Sequence, residues 1–249
     1  MLPIHGPFQL SIQEQENFVS TFLEPMLHGL LTRSPQAVFY GMLGNDDWLE
    51  SLVPLRGLAE KGVLRLLHAE KYHLTAGYQA IGYAHVPPTP FTIKDRERRD
   101  MRDDAVDGQR CTACRSLGGR IAAVDTVQYF AGLQSIEEEL GNLPAPDDPR
   151  KSVYVMHAPP FGTNLDRLFD GRWIGSRAIR AFIEKQQPYL TLHGHIHESP
   201  EVSGSYLDRI GRTLCINPGQ STEEFHAVVF ELEDILGTIE HTVFGRPAV

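Results

Sequence analysis

The run Ala37-Val-Phe-Tyr-Gly-Met-Leu43 is apolar throughout and then breaks into Gly44-Asn45-Asp46-Asp47. An uninterrupted apolar stretch of this length reads as a strand buried on both faces, so it needs packed layers above and below it. Two more runs repeat the arrangement. Ser152-Val-Tyr-Val-Met156 ends in His157, and Pro188-Tyr-Leu-Thr-Leu192 ends in His193-Gly-His-Ile-His197. Helical patterns fall between and around them, at Trp48 to Lys61 (closed by Gly62), Gln134 to Leu140 and Ser176 to Gln187. Strands alternating with helices define an α/β chain. Polar groups at the carboxyl end of a buried strand are where such sheets place ligands.

Residues 1 to 12 form a loose lead-in. From Glu14 to Leu31 the pattern is helical, with Phe18, Phe22, Met26 and Leu30 four apart and joined by Leu23, Leu27 and Leu31, a packed helix face. Pro25 should kink this helix or split it. Val63 to Val86 alternates in short apolar pieces, with a hairpin expected at Ala76-Gly77. From Pro87 to Gly119 the chain is loop-like. Its dense charges, Lys94 to Asp104, read as a solvated loop or short helix with internal ion pairs, or else as a lid over a site and part of the substrate pocket. Pro144 to Pro149 is a turn. Arg212 to Ile216 is a strand ending in Asn217-Pro-Gly219, and Phe225 to Leu232 and Thr238 to Phe244 are two more.

Length, 249 residues, suits one large domain or two small ones. The formal net charge of −9 argues against an extended nucleic-acid face. It leaves room for a small phosphorylated substrate, because bound cations invert the local field. No apolar run approaches the ~20 residues of a membrane span. The N-terminus has no basic region followed by an apolar one, so a cytoplasmic location is expected. Three cysteines do not make a disulfide framework. Cys111 and Cys114 have CxxC spacing with no second pair, a weak signal read as reduced loop thiols.

His195 and His197, two apart, fall on one face of a strand, and at a strand end Gly194 would let the backbone turn so that both imidazoles reach one volume. A lone histidine is usually an ordinary core or surface residue. Here Asn45, His157, His195 and His197 form a set of nitrogen and oxygen ligands without thiolate, which suits Mn, Fe, Zn or Ni. Two neighbouring metals could share such a set and clamp a phosphoryl displacement.

At these blocks the chain resembles the calcineurin-like metallophosphoesterases. Gly44-Asn45-Asp46-Asp47 is similar to the family's GNH[DE] block with Asp in place of His, and Gly194-His195-Ile196-His197 to its GHxH block, with His157 between them. His157 to Asp166, Gly175-Ser176 and Asn217-Pro-Gly219 look like a small cytoplasmic bacterial or archaeal branch. The resemblance covers about residues 36 to 235 and implies one domain over 1–249: a β-sandwich of two mixed sheets flanked by helices. By position, Asn45, His157 and His195 would hold one metal and His197 would ligate a second. The activity implied is hydrolysis of a phosphomonoester or phosphodiester by a metal-bound water.

The resemblance also expects DxH and GDxxD blocks before Asn45, and residues 1 to 44 contain no aspartate. A bridging carboxylate and the first strands are thus expected to be missing, through a late start at Met1 or through true degeneracy, the former being the working expectation. Without the carboxylate, metal affinity should fall and the two-metal clamp should not form. A degenerate chain would act as a binding or scaffold protein. Asp46 stands where the family has its proton-donating histidine. It could donate only with a pKa raised by burial, or it could orient His157 or water. Asp47 is expected to cap the following helix or support a ligand.

Overall fold

The structure is a computed structural model that describes residues 11–105 and 112–247. The lead-in up to residue 10, including His5, and Cys111 lie outside the described residues. The first element is a broken helix, α1 (Ile12–Phe18) and α2 (Glu24–Arg33). Ser11 and Glu14 close a capping box at its start. Between the two halves, Val19–Leu23 widens to hydrogen bonds five residues apart, Glu24 N–H reaching the Val19 carbonyl. Pro25 falls in the first turn of α2, where no N–H is needed. The proline is therefore absorbed by local widening, with no change to a separate helix.

This register corrects the expected packed face. Val19 and Leu27 are buried, with Leu23 and Leu31 against them, while Phe18, Phe22 and Met26 are exposed. The phenylalanines stack on each other, with ring centroids 5.2 Å apart.

After α2 come β1 (Tyr40–Gly41), α3 (Leu52–Glu60), β2 (Arg65–Leu66), β3 (Lys71–His73) and β4 (Gln79–Tyr83). The strand expected over Ala37 to Leu43 is shorter than its apolar run and only half-buried. It pairs in parallel with β2. The widened turn, α2 and α3 cover it, with Val19, Leu27, Leu55 and Leu58 packing against Leu43, Val63 and Leu64. The expected hairpin joins β3 to β4, with Ala76 and Gly77 both at positive φ.

The charged segment then leads to β5 (Cys114–Leu117), β6 (Arg120–Ala123), α4 (Thr126–Ala131), α5 (Ile136–Leu140) and β7 (Ser152–Met156). The chain ends with α6 (Arg177–Gln186), β8 (Leu190–Leu192), α7 (Ser199–Ser203), β9 (Leu207–Ile210), β10 (Thr213–Ile216), β11 (Val228–Val229), α8 (Ile235–Thr238) and β12 (Glu240–His241). Cys114 thus opens a strand. Cys215 is buried in β10, and burial pushes its thiol up to about 11, so it stays protonated. The two late strands are shorter than the sequence suggests, two residues each.

One six-stranded mixed sheet organises the molecule, in the order β3-β4-β7-β8-β10-β9. The central four are parallel, and β3 and β9 are antiparallel edges. All of β4 and β10 is buried, as expected for parallel strands covered on both faces. Alternate residues divide between those faces. Tyr154, Met156 and Cys215 pack with Ala178, Ile179 and Ile183 of α6, whereas Val153, Leu190, Leu214 and Ile216 pack with Ile235 and Ile239. Burying each isoleucine side chain of α6 contributes about 2 kcal/mol. The chain is therefore α/β with a mixed sheet, and the other pairings among the described residues are two-stranded. No helix among these residues is long and apolar enough to cross a membrane.

The charged stretch does not form the solvated loop expected of it. Lys94, Asp95, Arg96, Glu97 and Asp100 are all buried. Lys94 Nζ donates to both Glu97 carboxylate oxygens at 3.0 Å and to the Thr89 carbonyl at 2.9 Å. Asp95 accepts from the amides of Leu49 (2.8 Å) and Ser116 (3.0 Å), and Asp100 from those of Arg177 (2.7 Å) and Ala178 (3.4 Å). Local bonds pair Lys94 with Glu97, and long-range bonds to Asp95 and Asp100 stitch the segment into the core.

Candidate functional site

The carboxyl ends of β4, β7, β8 and β10 lie in a row. Tyr83 pairs with Met156, and Val155 with Leu192, so His85, His157 and the His193–His197 loop leave the sheet from neighbouring strands. His157 N–H donates to the Tyr83 carbonyl (2.9 Å), and Gly194 N–H to the His157 carbonyl (3.0 Å).

The Gly44–Asp47 turn meets this row. Asn45 is buried, and its Oδ1 lies 3.0 Å from His157 Nε2 and 2.9 Å from His195 Nδ1. Its amide nitrogen faces Asp46 Oδ1 at 3.4 Å. At position 44 a Cβ would stand 3.1 Å from His157 Nε2, so any larger residue would press on that imidazole. The sharp turn expected of Gly194 is made one residue later, by His195 at φ +66°. Non-glycine residues in that conformation cost about 1–2 kcal/mol, a strain the surrounding loop must hold.

Asn217 does much of that holding. It is fully buried, donates to the Ile196 and Leu165 carbonyls (3.0 Å each) and accepts from Gly219 N–H (2.9 Å). Replacing Asn217 with alanine leaves two buried carbonyls unpaired and is expected to cost about 3 kcal/mol. A urea midpoint lowered at unchanged slope would show it, and a midpoint within error of wild type would refute it.

Burial lowers the pKa of both imidazoles. His157 falls to about 4, through burial and then the nearby His197. His195 falls to about 3, through burial and then His157 and His197. Both are neutral at pH 7, the form that ligates metals. Nitrogen and oxygen ligands ~2.1 Å from one cation at right angles lie ~3.0 Å apart, which the two Asn45 distances match. Asn45 Oδ1, His157 Nε2 and His195 Nδ1 are the donors that could hold one cation. Among the described residues no group of three or more His, Cys, Asp or Glu side chains is arranged to hold a metal ion, so the set depends on the Asn45 amide.

The other sequence candidates fall differently. His197 is exposed on the same loop, close enough for its charge to act on His157 and His195, and its carbonyl accepts from Gln220 N–H (3.1 Å). His193 is buried and structural, its ring nitrogens at 2.9 Å from the Ala158 carbonyl and 2.8 Å from Thr191 Oγ1. Asp46 is exposed, so the burial that proton donation there requires is not present. Asp47 is the more sheltered carboxyl. Burial raises its pKa against the Gly44 amide, from which it accepts at 2.7 Å, so it braces the Asn45 turn and caps no helix.

Sequence reasoning missed a second polar cluster at the end of β4. His85 Nδ1 meets Glu139 Oε2 at 2.6 Å, Tyr83 OH donates to the same oxygen at 2.7 Å, and Arg98 Nε donates to Oε1 at 3.0 Å. His68 packs edge-on against His85, ring centroids 4.5 Å apart. Its histidines are scattered in sequence, so only the position of His85 just past a strand end could have pointed to it.

Set against known proteins, this arrangement is matched in fold alone. One solved crystal structure aligns over 94% of this chain and 76% of its own, at a TM-score of 0.55 and 17% identity. The crystal structure of TT1561 of Thermus thermophilus aligns over 94% of this chain and 80% of its own, at a TM-score of 0.47 and 13% identity. No protein-family model and no curated protein matches the chain.

Proposed function

We propose that the chain is a metal-dependent phosphoesterase of the calcineurin-like type, acting on a small phosphomonoester or phosphodiester. One observation carries this reading. Asn45 Oδ1 lies within 3.0 Å of both His157 Nε2 and His195 Nδ1, from residues up to 150 apart in sequence, beside the carboxyl ends of β7 and β8. On this reading the six-stranded sheet is one leaf of the family's sandwich, and β1–β2 belongs to the other.

Asn45, His157 and His195 would hold a divalent cation, Mn, Fe, Zn or Ni, and His197 would serve a second. Such a cation supplies Lewis acidity toward a phosphoryl oxygen and makes water nucleophilic near neutral pH. The chain's own groups prepare the place. Burial keeps both imidazoles unprotonated, Asp47 fixes the turn that presents Asn45, and Asn217 holds the loop that presents His195. The donor triad carries no anion, which favours one alternative: a catalytically incompetent relative serving as a binding or scaffold protein.

The test is release of nitrophenol from p-nitrophenyl phosphate and bis(p-nitrophenyl) phosphate with each of the four cations, alongside the metal content of the protein. Cation-dependent release with bound metal is expected. No release with any cation, and no metal retained, would leave the scaffold reading.

A further inference from the structure

Arg96 is an arginine buried to 4% exposure whose Nε has no hydrogen-bond partner. Its one side-chain hydrogen bond among the described residues is Nη1 to His85 Nε2, at 3.5 Å. That partner brings no negative charge. His85 gives its other nitrogen to Glu139, and burial first of all holds its pKa down at about 4. Glu139 is already occupied by His85, Tyr83 and Arg98. Asp95 is held by the Leu49 and Ser116 amides, and Asp47 by the Gly44 amide. Arg96 forms no ion pair with any carboxylate among the described residues. Asp95, Asp47 and Glu139 act on the Arg96 charge from a distance, yet none bonds to it, and a buried donor left unpaired is costly.

Its position says where the ligand would sit. The Arg96 carbonyl accepts from Val86 N–H (3.0 Å), and Arg98 N–H returns to the Val86 carbonyl (3.0 Å). This pairing places Arg96 beyond the carboxyl end of β4, the strand beside β7 and its His157. Neighbouring strands are ~4.8 Å apart. Arg96 is also near enough to Asp47, which braces the Asn45 turn, for each to act on the other's charge. The carboxyl ends of parallel strands form the usual crevice for ligands.

We infer that Arg96 is an oxyanion-binding residue, whose guanidinium takes a phosphoryl group of the substrate beside the Asn45–His157–His195 cluster. Guanidinium presents a planar fork of donors that matches two oxygens of a phosphoryl group, and partial desolvation strengthens the pair. The role in substrate binding rests on the phosphoesterase reading. The anion site itself does not, and can be measured without a metal.

The experiment is titration of inorganic phosphate into metal-free protein in EDTA, followed by calorimetry, for wild type, Arg96→Gln and Arg96→Lys. Wild type is expected to bind with a dissociation constant on the order of 1 mM. Arg96→Gln should weaken binding at least about tenfold, and Arg96→Lys, which keeps charge but loses the fork, by a smaller factor. Arg96→Gln should leave Tm within a few degrees of wild type, because the buried charge it removes is bonded to no carboxylate. If glutamine prevents folding, or lowers Tm while phosphate binding persists in the lysine variant at wild-type strength, Arg96 is structural and the inference falls. It falls equally if metal-free wild type does not bind phosphate, or if all three proteins bind alike. Loss of binding in the variants together with no hydrolysis under any cation would keep the anion site and remove the phosphoesterase reading. Hydrolysis with unchanged binding would do the reverse.

Discussion

Replacing His157 with alanine is expected to lower divalent-metal binding and cation-dependent hydrolysis by at least about 100-fold. His157 sits at the end of β7, the strand bonded on both sides within the sheet, and its Nε2 is one of the two nitrogens that meet Asn45 Oδ1. With the imidazole gone, the amide oxygen keeps only His195, 2.9 Å away. Two neutral ligands hold a divalent cation poorly. The fold should persist, since the backbone bonds from His157 N–H to Tyr83 and from Gly194 N–H to His157 do not use the imidazole. The informative control is His193→Ala. That side chain is buried with both nitrogens occupied, so it should lose stability and keep the metal. A His157→Ala protein that retains wild-type metal content and turnover would remove the cluster from consideration as the site.

What made this cluster readable in sequence was its location. A strand buried on both faces must shed its polar residues at its ends, so His157 and His193 to His197 were confined to one rim of the sheet before any side chain was placed, whereas Gly44-Asn45 reaches them from the separate β1–β2 pair. Which histidine does what was not readable. His193 and His195 differ by one turn of backbone, set by the positive φ at His195 and by the Asn217 bonds from a strand not yet begun.

The segment Lys94 to Glu97 was opaque for a different reason. A charge run is solvated by default, and only partners far along the chain, the Leu49 and Ser116 amides, turn this one inward. The first helix failed through register alone. Two stripes of four-residue spacing lay side by side, and the widened turn at Val19–Leu23 decides which faces the core. The sheet core, by contrast, followed from alternation within each apolar run, because the two faces of β7 and β10 pack against separate groups of residues.

Acid is expected to unfold this protein well above the pH at which its carboxylates protonate, and the cluster at the end of β4 is a main reason. Burial, followed by the charges of His85 and Arg96, pulls His68 down from 6.5 to about 3, and burial pulls His85 down to about 4. An unfolded chain takes up both protons as pH falls through about 6.5, whereas the folded chain refuses them until about 4. The stability these groups contribute is therefore complete above about pH 6.5 and is lost progressively below it. Each group removes about 1.4 kcal/mol per pH unit, so the pair removes about 4 kcal/mol between about pH 6.5 and 5. That is a large part of the 5–15 kcal/mol roughly typical of a folded domain. Glu139 adds a second, lower window. Burial raises its pKa, but the hydrogen bonds from His85 and Tyr83 and the charge of Arg98 outweigh it and hold the carboxyl at about 2, so its contribution is lost only below 4.5. Urea midpoints measured from about pH 7.5 to 5 should fall steeply in wild type and less steeply in His68→Gln/His85→Gln, by a difference of about two protons. The comparison isolates this pair from His157, His193 and His195, which titrate in the same direction. Equal slopes for the two proteins would mean that the β4 histidines already carry their protons in the folded state, and the neutral imidazole that Arg96 faces would have to be redrawn as a cation.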